Sequence, residues 1–123
     1  MSTKFSEDHE WLRSEADGSV TIGITHYAQD SLGDLVFVEL PAVGSTVSKG
    51  DASCVIESVK AAADVKMPVS GTVLAVNEAL VDNPALVNED PEGAGWFVRL
   101  QPSDLSEADG LMDEAAYKAH IGA

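Results

Sequence analysis

Apolar and polar residues alternate in short runs along the first half of the chain, and glycine residues interrupt the runs. Residues 19–25 and 35–41 follow the two-residue period of strands that bury one face. Between these runs, Thr25 is placed to cap a short helix over His26–Leu32, and Gly33 is placed to end that helix in a left-handed conformation. Many short strands separated by turns are typical of a small barrel or sandwich, so the pattern predicts a mostly β fold.

The second half begins with the same pattern. Residues 71–76 and 96–100 are strand candidates, and the stretch between them contains proline and asparagine. In that stretch, Asn77 is placed to cap one short helical turn, which Pro84 would end. We therefore expect two more strands joined by a mostly irregular connection.

The composition changes after Pro102. Residues 103–121 are rich in Ala, Leu, Glu and Met, which predicts a C-terminal helix that Gly122 closes. Glu114 and Lys118 have the spacing of residues that pair on a helix surface. The other side of this helix would present a face of small or apolar residues, namely Met112, Ala115, Ala116 and Ala119.

The segment from residue 52 to residue 67 permits two structures. Its apolar positions and its consecutive alanines suit a helix, because alanine has the highest helix propensity. Val55, Ile56 and Val59 are β-branched, however, and the turn-rich flanks also permit a hairpin with Lys60 at its tip. The residues by themselves favour the helix slightly.

The composition excludes several classes of function. The chain has 123 residues, enough for a single domain spanning residues 1–123 with its own core. Its formal net charge of -14 would repel phosphate backbones and anionic lipid headgroups, so we expect neither nucleic acid nor a membrane as a partner. The start is polar and acidic, unlike a signal peptide, and no apolar run is long enough to span a bilayer. We therefore expect a cytoplasmic protein.

Enzyme chemistry has little support in the sequence. Cys54 is the only cysteine and no cysteine-enzyme motif surrounds it, so we interpret it as a core residue. The run from Asp8 to Glu10 is the only local group of metal-ligand residue types, and strand geometry would separate its members onto two faces. Neither a phosphate-binding loop nor a dinucleotide-binding motif is present. The sequence predicts a protein that is not itself an enzyme and holds no metal.

Lysine is scarce in this acidic chain, and Lys60 has a distinctive context. It lies in the run ESVKAAAD, residues 57–64, with acidic residues at both ends and small residues directly after it. A surface lysine is usually a solvated charge. At the tip of a hairpin and beside small side chains, it would instead be accessible to an enzyme that acylates it.

The run around Lys60 resembles the lipoyl-attachment segment of the glycine cleavage system H-protein family. Further matches follow in the family's order, so the resemblance covers essentially the whole chain. They are His9-Glu10-Trp11, GIT and AQ within residues 23–29, LGDLVFVELP at 32–41, PVSG at 68–71, Val76-Asn77-Glu78, Asn88-Glu89-Asp90-Pro91 and Gly95-Trp96. So many ordered matches are more specific than the lysine motif alone.

The resemblance implies a fold and an attachment site. Members of the family form a barrel-sandwich hybrid, the fold of lipoyl and biotinyl carriers, with short helices and a C-terminal helix. Lys60 would lie at the tip of a hairpin of about residues 52–68, and a helical segment would occupy about residues 103–121. Lipoic acid would be joined by an amide bond to the side-chain nitrogen of Lys60, which removes the ammonium charge and adds redox chemistry.

The resemblance also implies partners. In the family, the lipoyl arm visits the pyridoxal phosphate-dependent glycine decarboxylase (P protein), the aminomethyltransferase (T protein) and dihydrolipoyl dehydrogenase (L protein). The carrier shuttles an aminomethyl group from the P protein to the T protein in one-carbon metabolism, the L protein reoxidises the dithiol, and the carrier itself catalyses none of these steps. Enzymes that attach lipoyl or octanoyl groups are implied as further partners.

In the family, the loaded arm folds into a surface cleft. Glu10 and Asp64 match positions that line it, and their carboxylates would bind a cationic aminomethyl group. Ile24 and Leu32 match its apolar wall. We therefore expect these four side chains to lie together near the lysine-bearing hairpin.

Related carrier functions are the alternatives at this point. An H-like protein that relays lipoyl groups, or a lipoyl domain serving 2-oxo acid dehydrogenases, would also present a lysine from a hairpin. Lipoyl domains usually have an acid directly before that lysine, and biotin carriers usually flank it with methionines, whereas Val59 and Ala61 flank Lys60 here. The flanking residues are thus closest to those of the H-protein family.

Overall fold

The structure is a computed structural model that describes residues 3–122, and it is built mainly from short strands. The strands are β1 (Thr3–Phe5), β2 (Glu10–Ser14), β3 (Val20–Ile24), β4 (Leu35–Glu39), β5 (Thr46–Val47), β6 (Ala52–Ser58), β7 (Ala62–Lys66), β8 (Gly71–Val76) and β9 (Val98–Pro102). The helices are α1 (His26–Leu32), α2 (Ala79–Asp82), α3 (Ala85–Glu89), a 3₁₀ helix (Leu105–Gly110) and α4 (Glu114–Ile121). None of the helices within residues 3–122 is both long and apolar enough to cross a membrane.

Two antiparallel sheets enclose the core. The larger has the strand order β1-β2-β3-β9-β8-β5, and the smaller has the order β4-β6-β7. A single cluster of buried side chains joins them, including Leu12, Ile22 and Leu100 from the first sheet and Val38, Ile56 and Val65 from the second. The predicted fold class, a mostly β barrel-sandwich hybrid with short helices and a C-terminal helix, is confirmed.

Helix α1 begins and ends where the sequence predicts. The Thr25 hydroxyl accepts a hydrogen bond from Ala28 N–H at 3.2 Å and so caps the helix. Gly33 follows the last helical residue with φ 82° and ψ -161°, so the predicted positive φ is present, but the ψ is extended rather than left-handed helical. This extended ψ directs the chain into β4 only two residues later.

Residues 52–67 contain a β-hairpin, so the slight preference for a helix is wrong. Strands β6 and β7 pair with Val55 opposite Asp64 and Glu57 opposite Ala62. Alternate side chains of the hairpin, Cys54, Ile56 and Val65, are buried in the core between the sheets. Burial of this apolar face outweighs the small intrinsic helix preference of the alanines.

The predicted C-terminal helix over residues 103–121 is interrupted. Between the 3₁₀ helix and α4, Met112 exchanges both backbone hydrogen bonds with Phe5 of β1, each at 2.8 Å. Asp113 then starts α4 anew, since its carboxylate accepts from Ala116 N–H at 2.8 Å. A continuous helix would lose these two backbone hydrogen bonds between Met112 and β1.

Helix α4 also buries a different face from the predicted one. Ala115, Ala116 and Ala119 are exposed, whereas Tyr117 is buried and stacks on Phe5 with ring centroids 4.6 Å apart. The large aromatic ring buries more apolar area than the alanines, so it determines how the helix docks. The predicted Glu114–Lys118 pair is present at 3.7 Å, and Gly122 ends the helix with φ 76°.

The connection between β8 and β9 differs from the prediction. The Asn77 side chain donates to Ala94 O at 2.7 Å, and Glu78 rather than Asn77 is the N-cap of α2. Pro84 separates α2 from α3, a helix that the sequence did not predict. Strand β9 begins at Val98, two residues later than expected.

Candidate functional site

Lys60 lies in the turn of residues 58–61 that joins β6 to β7. Ser58 N–H donates to Ala61 O at 2.7 Å, which closes the turn. The Ser58 hydroxyl accepts from Lys60 N–H at 3.1 Å and from Ala61 N–H at 3.0 Å. One serine side chain therefore fixes the backbone on both sides of the Lys60 peptide.

The turn rests on the loop that follows α1. Val59 N–H donates to Asp34 O at 3.0 Å. A Cβ atom built on Gly33 would lie 3.3 Å from Lys60 Cε, so the aliphatic part of Lys60 passes closely over this glycine. Lys60 is exposed, and none of the carboxylates within residues 3–122 forms an ion pair with its ammonium group. The amine is thus accessible while its stem is supported.

A cleft of about 390 Å³ lies beside the lysine-bearing hairpin. The residues that the sequence analysis assigned to an arm cleft all line it: Glu10 at the start of β2, Ile24 at the end of β3, Leu32 at the end of α1 and Asp64 in β7. Glu10 and Ile24 are directly opposite each other in the β2–β3 pair. The structure therefore brings these four side chains together although they are far apart in sequence.

Glu10 is the buried carboxyl group of the cleft, with 4% of its surface exposed. The Ser6 hydroxyl donates to Glu10 Oε1 at 2.7 Å and accepts from Glu10 N–H at 3.0 Å. Burial raises the pKa of Glu10 to about 7; the charge of Asp8 adds to this rise, and the Ser6 hydrogen bond opposes it. A cation entering the cleft would favour the ionised form of this group.

Asp64 differs from Glu10 in its exposure. It is an exposed residue on β7, four positions after Lys60, and it faces the same cleft. The cleft therefore offers one carboxyl inside the protein and one at its rim. Such a pair can bind a cationic amine by charge-assisted hydrogen bonds while apolar side chains exclude water around it.

Several lining residues are absent from the sequence-based set. They are Asp8, His9, Tyr27, Ala28, Ser31, Ile56, Ala63 and Val65. The four-residue spacing of Ala28 and Leu32 on α1 was a usable signal, because such residues share a helix face. Ile56 and Val65 could be assigned only after residues 52–67 are known to form a hairpin.

His9 links the cleft to the C-terminal helix. Its Nδ1 is 2.9 Å from the Tyr117 hydroxyl, which is 2.7 Å from Thr25 Oγ1. Burial lowers the pKa of His9, and the nearby His120 lowers it further. His9 has a positive φ of 70°, and its ring centroid lies 5.7 Å from that of Tyr117 on α4.

The structure also describes the two features considered as possible enzyme chemistry, the Cys54 thiol and a metal-binding group. Cys54 is completely buried, and burial raises the pKa of its thiol to about 12, which disfavours the reactive thiolate. Within residues 3–122, no group of three or more His, Cys, Asp or Glu side chains is arranged to hold a metal ion.

Comparisons with known proteins agree over nearly the full length. A sequence model of the family described as glycine cleavage H-protein matches residues 3–122. The chain is 59% identical over 118 residues to the glycine cleavage system H protein of Shewanella sp. (strain ANA-3), a match covering 96% of this chain and 92% of that protein. It is 61% identical over 115 residues to the protein of the same name from Halorhodospira halophila, covering 94% and 88% of the two chains.

The fold is also similar to that of a solved structure. The crystal structure of a glycine cleavage system H protein from Mycobacterium marinum superposes with a TM-score of 0.89 at 41% sequence identity. The superposition covers 98% of this chain and 97% of that one. Sequence and fold therefore point to the same family.

Proposed function

Because the chain belongs to the glycine cleavage system H-protein family, the non-catalytic lipoyl carriers of that system, we propose that Lys60 is the residue to which its lipoyl group is attached. The observation that carries the proposal is the exposed Lys60 amine at the tip of the β6–β7 hairpin, within the run ESVKAAAD. The proposal treats the chain as a single lipoyl-carrier domain, which the family match over residues 3–122 supports.

The surroundings of Lys60 suit acylation by another protein. Val59 is 68% exposed, and Ala61 and Ala62 are exposed small residues. An attaching enzyme could therefore approach the amine from several directions without displacing large side chains. The Ser58 hydroxyl and the contact with Asp34 hold the turn in one conformation, which reduces the ordering cost of recognition.

The attached group supplies a dithiolane, whose redox chemistry no protein side chain offers. Acylation also removes the charge of Lys60 and lengthens the side chain to a reach on the order of 14 Å. Lys60 and Asp64 are four residues apart, a span of at most about 14 Å in extended chain. Asp64, at the rim of the cleft, is therefore within reach of the extended side chain.

In this proposal, the cleft residues bind the cargo between visits to the partner enzymes. Glu10 and Asp64 hold the cationic amino group, and Ile24 and Leu32 pack against the apolar chain. The buried position of Glu10 supports this role, because a hydrogen bond to a desolvated carboxylate is stronger than one to a solvated carboxylate. Keeping the cargo tethered raises its concentration at each docked enzyme.

The partners of a glycine cleavage H protein are the P, T and L proteins of the system. We propose that the chain serves all three and is loaded by enzymes that attach lipoyl or octanoyl groups. Its net charge of -14 favours docking on basic surfaces, since complementary charge accelerates encounter. The homologues named above are bacterial, which is consistent with the expected cytoplasmic location.

The test of the attachment site is a pair of lysine variants. Lys60→Arg should abolish the lipoyl mass increment and the exchange of labelled bicarbonate with the glycine carboxyl group in the presence of P protein. Lys66→Arg is the matched control, because Lys66 is an exposed lysine on the same hairpin. Mass increment or exchange that survives in Lys60→Arg, or is lost in Lys66→Arg, would place attachment elsewhere.

The cleft is tested separately with the loaded carrier. Glu10→Gln combined with Asp64→Asn should speed the release of the aminomethyl group into solution, because the cationic amine loses both carboxylates. Glu57→Gln is the control, since Glu57 is an exposed acid in β6 outside the cleft. Equal release rates for the double variant and the unaltered carrier would contradict the binding role.

A further inference from the structure

Asn88 has no role in the proposed carrier function described so far. Its side chain forms hydrogen bonds to the loop that supports the lysine-bearing turn. Its Nδ2 donates to Gly33 O and to Gln29 Oε1, each at 2.9 Å. Its Oδ1 accepts from Leu35 N–H, also at 2.9 Å. One side chain from α3 thus connects the last turn of α1 to the first residue of β4.

The residues enclosed by these bonds are the ones that contact the turn. Asp34 lies between the two backbone partners of Asn88, and its carbonyl accepts the Val59 N–H at 3.0 Å. Gly33, whose carbonyl is bonded to Asn88, lies directly beneath the stem of Lys60. Motion of this loop would therefore move the support of the lysine.

We propose that Asn88 is a positioning residue for Lys60, acting through the loop of Gly33 and Asp34. The inference rests on the proposed attachment at Lys60 and adds a residue that does not line the cleft and whose side chain bonds Gln29, Gly33 and Leu35. Its role is to keep the turn in the conformation that an attaching enzyme binds.

Asparagine is the side chain that fits this position chemically. Two donors and one acceptor are used at once, on two backbone groups and one side-chain amide. A carboxylate would still accept from Leu35 N–H but would place an unprotonated oxygen against two other oxygens. Leucine would have similar size but would leave all three partners without their bonds.

The expected functional effect is on recognition rather than on the chemical step. If the turn adopts the enzyme-competent conformation for only a fraction of the time, the apparent affinity falls by that fraction. The KM of a lipoate ligase for the apo-carrier should therefore rise in Asn88→Asp and Asn88→Leu, with little change in kcat. We expect an increase of up to about tenfold, the limit set by the net loss of one or two hydrogen bonds.

The experiment uses the full chain and measures two properties besides stability. The first is the KM and kcat for loading with lipoate and ATP by a lipoate ligase. The second is the hydrogen-exchange protection of the Val59 amide, which should fall about tenfold when its acceptor loop is loosened. Asn77→Asp is the matched control, because Asn77 is also an asparagine whose side chain bonds a loop carbonyl, that of Ala94.

The outcomes separate positioning from general destabilisation. A raised KM and faster Val59 exchange in both Asn88 variants, but not in Asn77→Asp at comparable urea stability, support the proposal. Unchanged KM and unchanged Val59 protection in both Asn88 variants would overturn it.

Failure of the attachment proposal gives a different result. If lipoate is attached elsewhere, the unaltered chain shows no mass increment on Lys60. The protection of the Val59 amide still reports whether Asn88 holds the turn.

Discussion

Two hairpin turns of this protein reverse the chain by different means. The turn between β2 and β3 has the sequence Asp17-Gly18, with Gly18 at φ 89° and the Asp17 carboxylate accepting from Ser19 N–H at 2.9 Å. The turn between β6 and β7 contains Val59 and Lys60 and has neither glycine nor a residue of positive φ.

The difference lies in where each turn obtains its stability. Asp-Gly is a strong turn signal, because aspartate bonds its own backbone and glycine accepts a positive φ at no steric cost. The Lys60 turn depends on the Ser58 hydroxyl and on Asp34, which lies outside the hairpin. The Lys60 turn is therefore held by one serine side chain and by an adjoining loop rather than by a glycine of positive φ.

The largest expected effect concerns the open end of the β2–β3 hairpin, where Glu10 is buried. The folded chain binds the Glu10 proton more tightly than the unfolded chain, so the free energy of unfolding falls as the pH rises from about 4.5 to about 7. Ionisation of Glu10 should lower the free energy of unfolding by about 2–3 kcal/mol between pH 5 and pH 8. Urea unfolding of Glu10→Gln should lack this part of the pH dependence. An identical pH dependence in both proteins would show that Glu10 ionises normally in the fold.

The next effect is expected at the support of the Lys60 turn. Gly33→Ala should reduce the free energy of unfolding by about 2 kcal/mol, because the combination of positive φ and extended ψ at Gly33 is nearly restricted to glycine. The added Cβ would also displace the stem of Lys60 and slow its loading. Urea denaturation and a loading assay measure the two effects. Normal loading in a destabilised variant would show that the loop does not support the lysine.

A smaller effect is expected within the turn itself. Ser58→Ala removes the acceptor of two backbone N–H groups and should lower the free energy of unfolding by about 1.5 kcal/mol. Loading of Lys60 should slow as well, because the turn loses its internal support. If loading keeps its rate, the contact from Asp34 is sufficient to hold the turn.

The smallest effect is expected at the other turn. Gly18→Ala should cost about 1 kcal/mol through its positive φ, since no neighbouring atom lies within 4 Å of the added Cβ. Loading of Lys60 should be unaffected, as measured by the lipoyl mass increment over time. Slower loading would mean that the two turns are coupled and would remove the contrast between them.

The sequence predicted those parts of the fold that local chemistry specifies. The cap at Thr25 and the alternation before and after α1 depend on neighbouring residues, and they gave correct elements. The break between the 3₁₀ helix and α4 could not be predicted, because it depends on Met112 pairing with Phe5 more than a hundred residues away in sequence.

The candidate site divides in the same way. Lys60, Glu10 and Asp64 were identified from motifs that resemble a known family, and periodicity alone would have favoured a helix around Lys60. The support from Gly33 and Asn88 was not predicted, because hydrogen bonds between distant loops leave no periodic pattern in a single sequence. Family resemblance pointed to Lys60, and only the structure shows the contacts that support its turn.

The pairing of Met112 with Phe5 also bears on self-association. Strand β1 is an outer strand of the larger sheet, and such strands can recruit a strand from another molecule through their unused backbone groups. Met112 occupies both backbone groups of Phe5, and Tyr117 covers its ring. The residues after Gly110 thus cover this edge strand. A chain shortened there would expose the unpaired backbone groups of Phe5 to other copies of the protein.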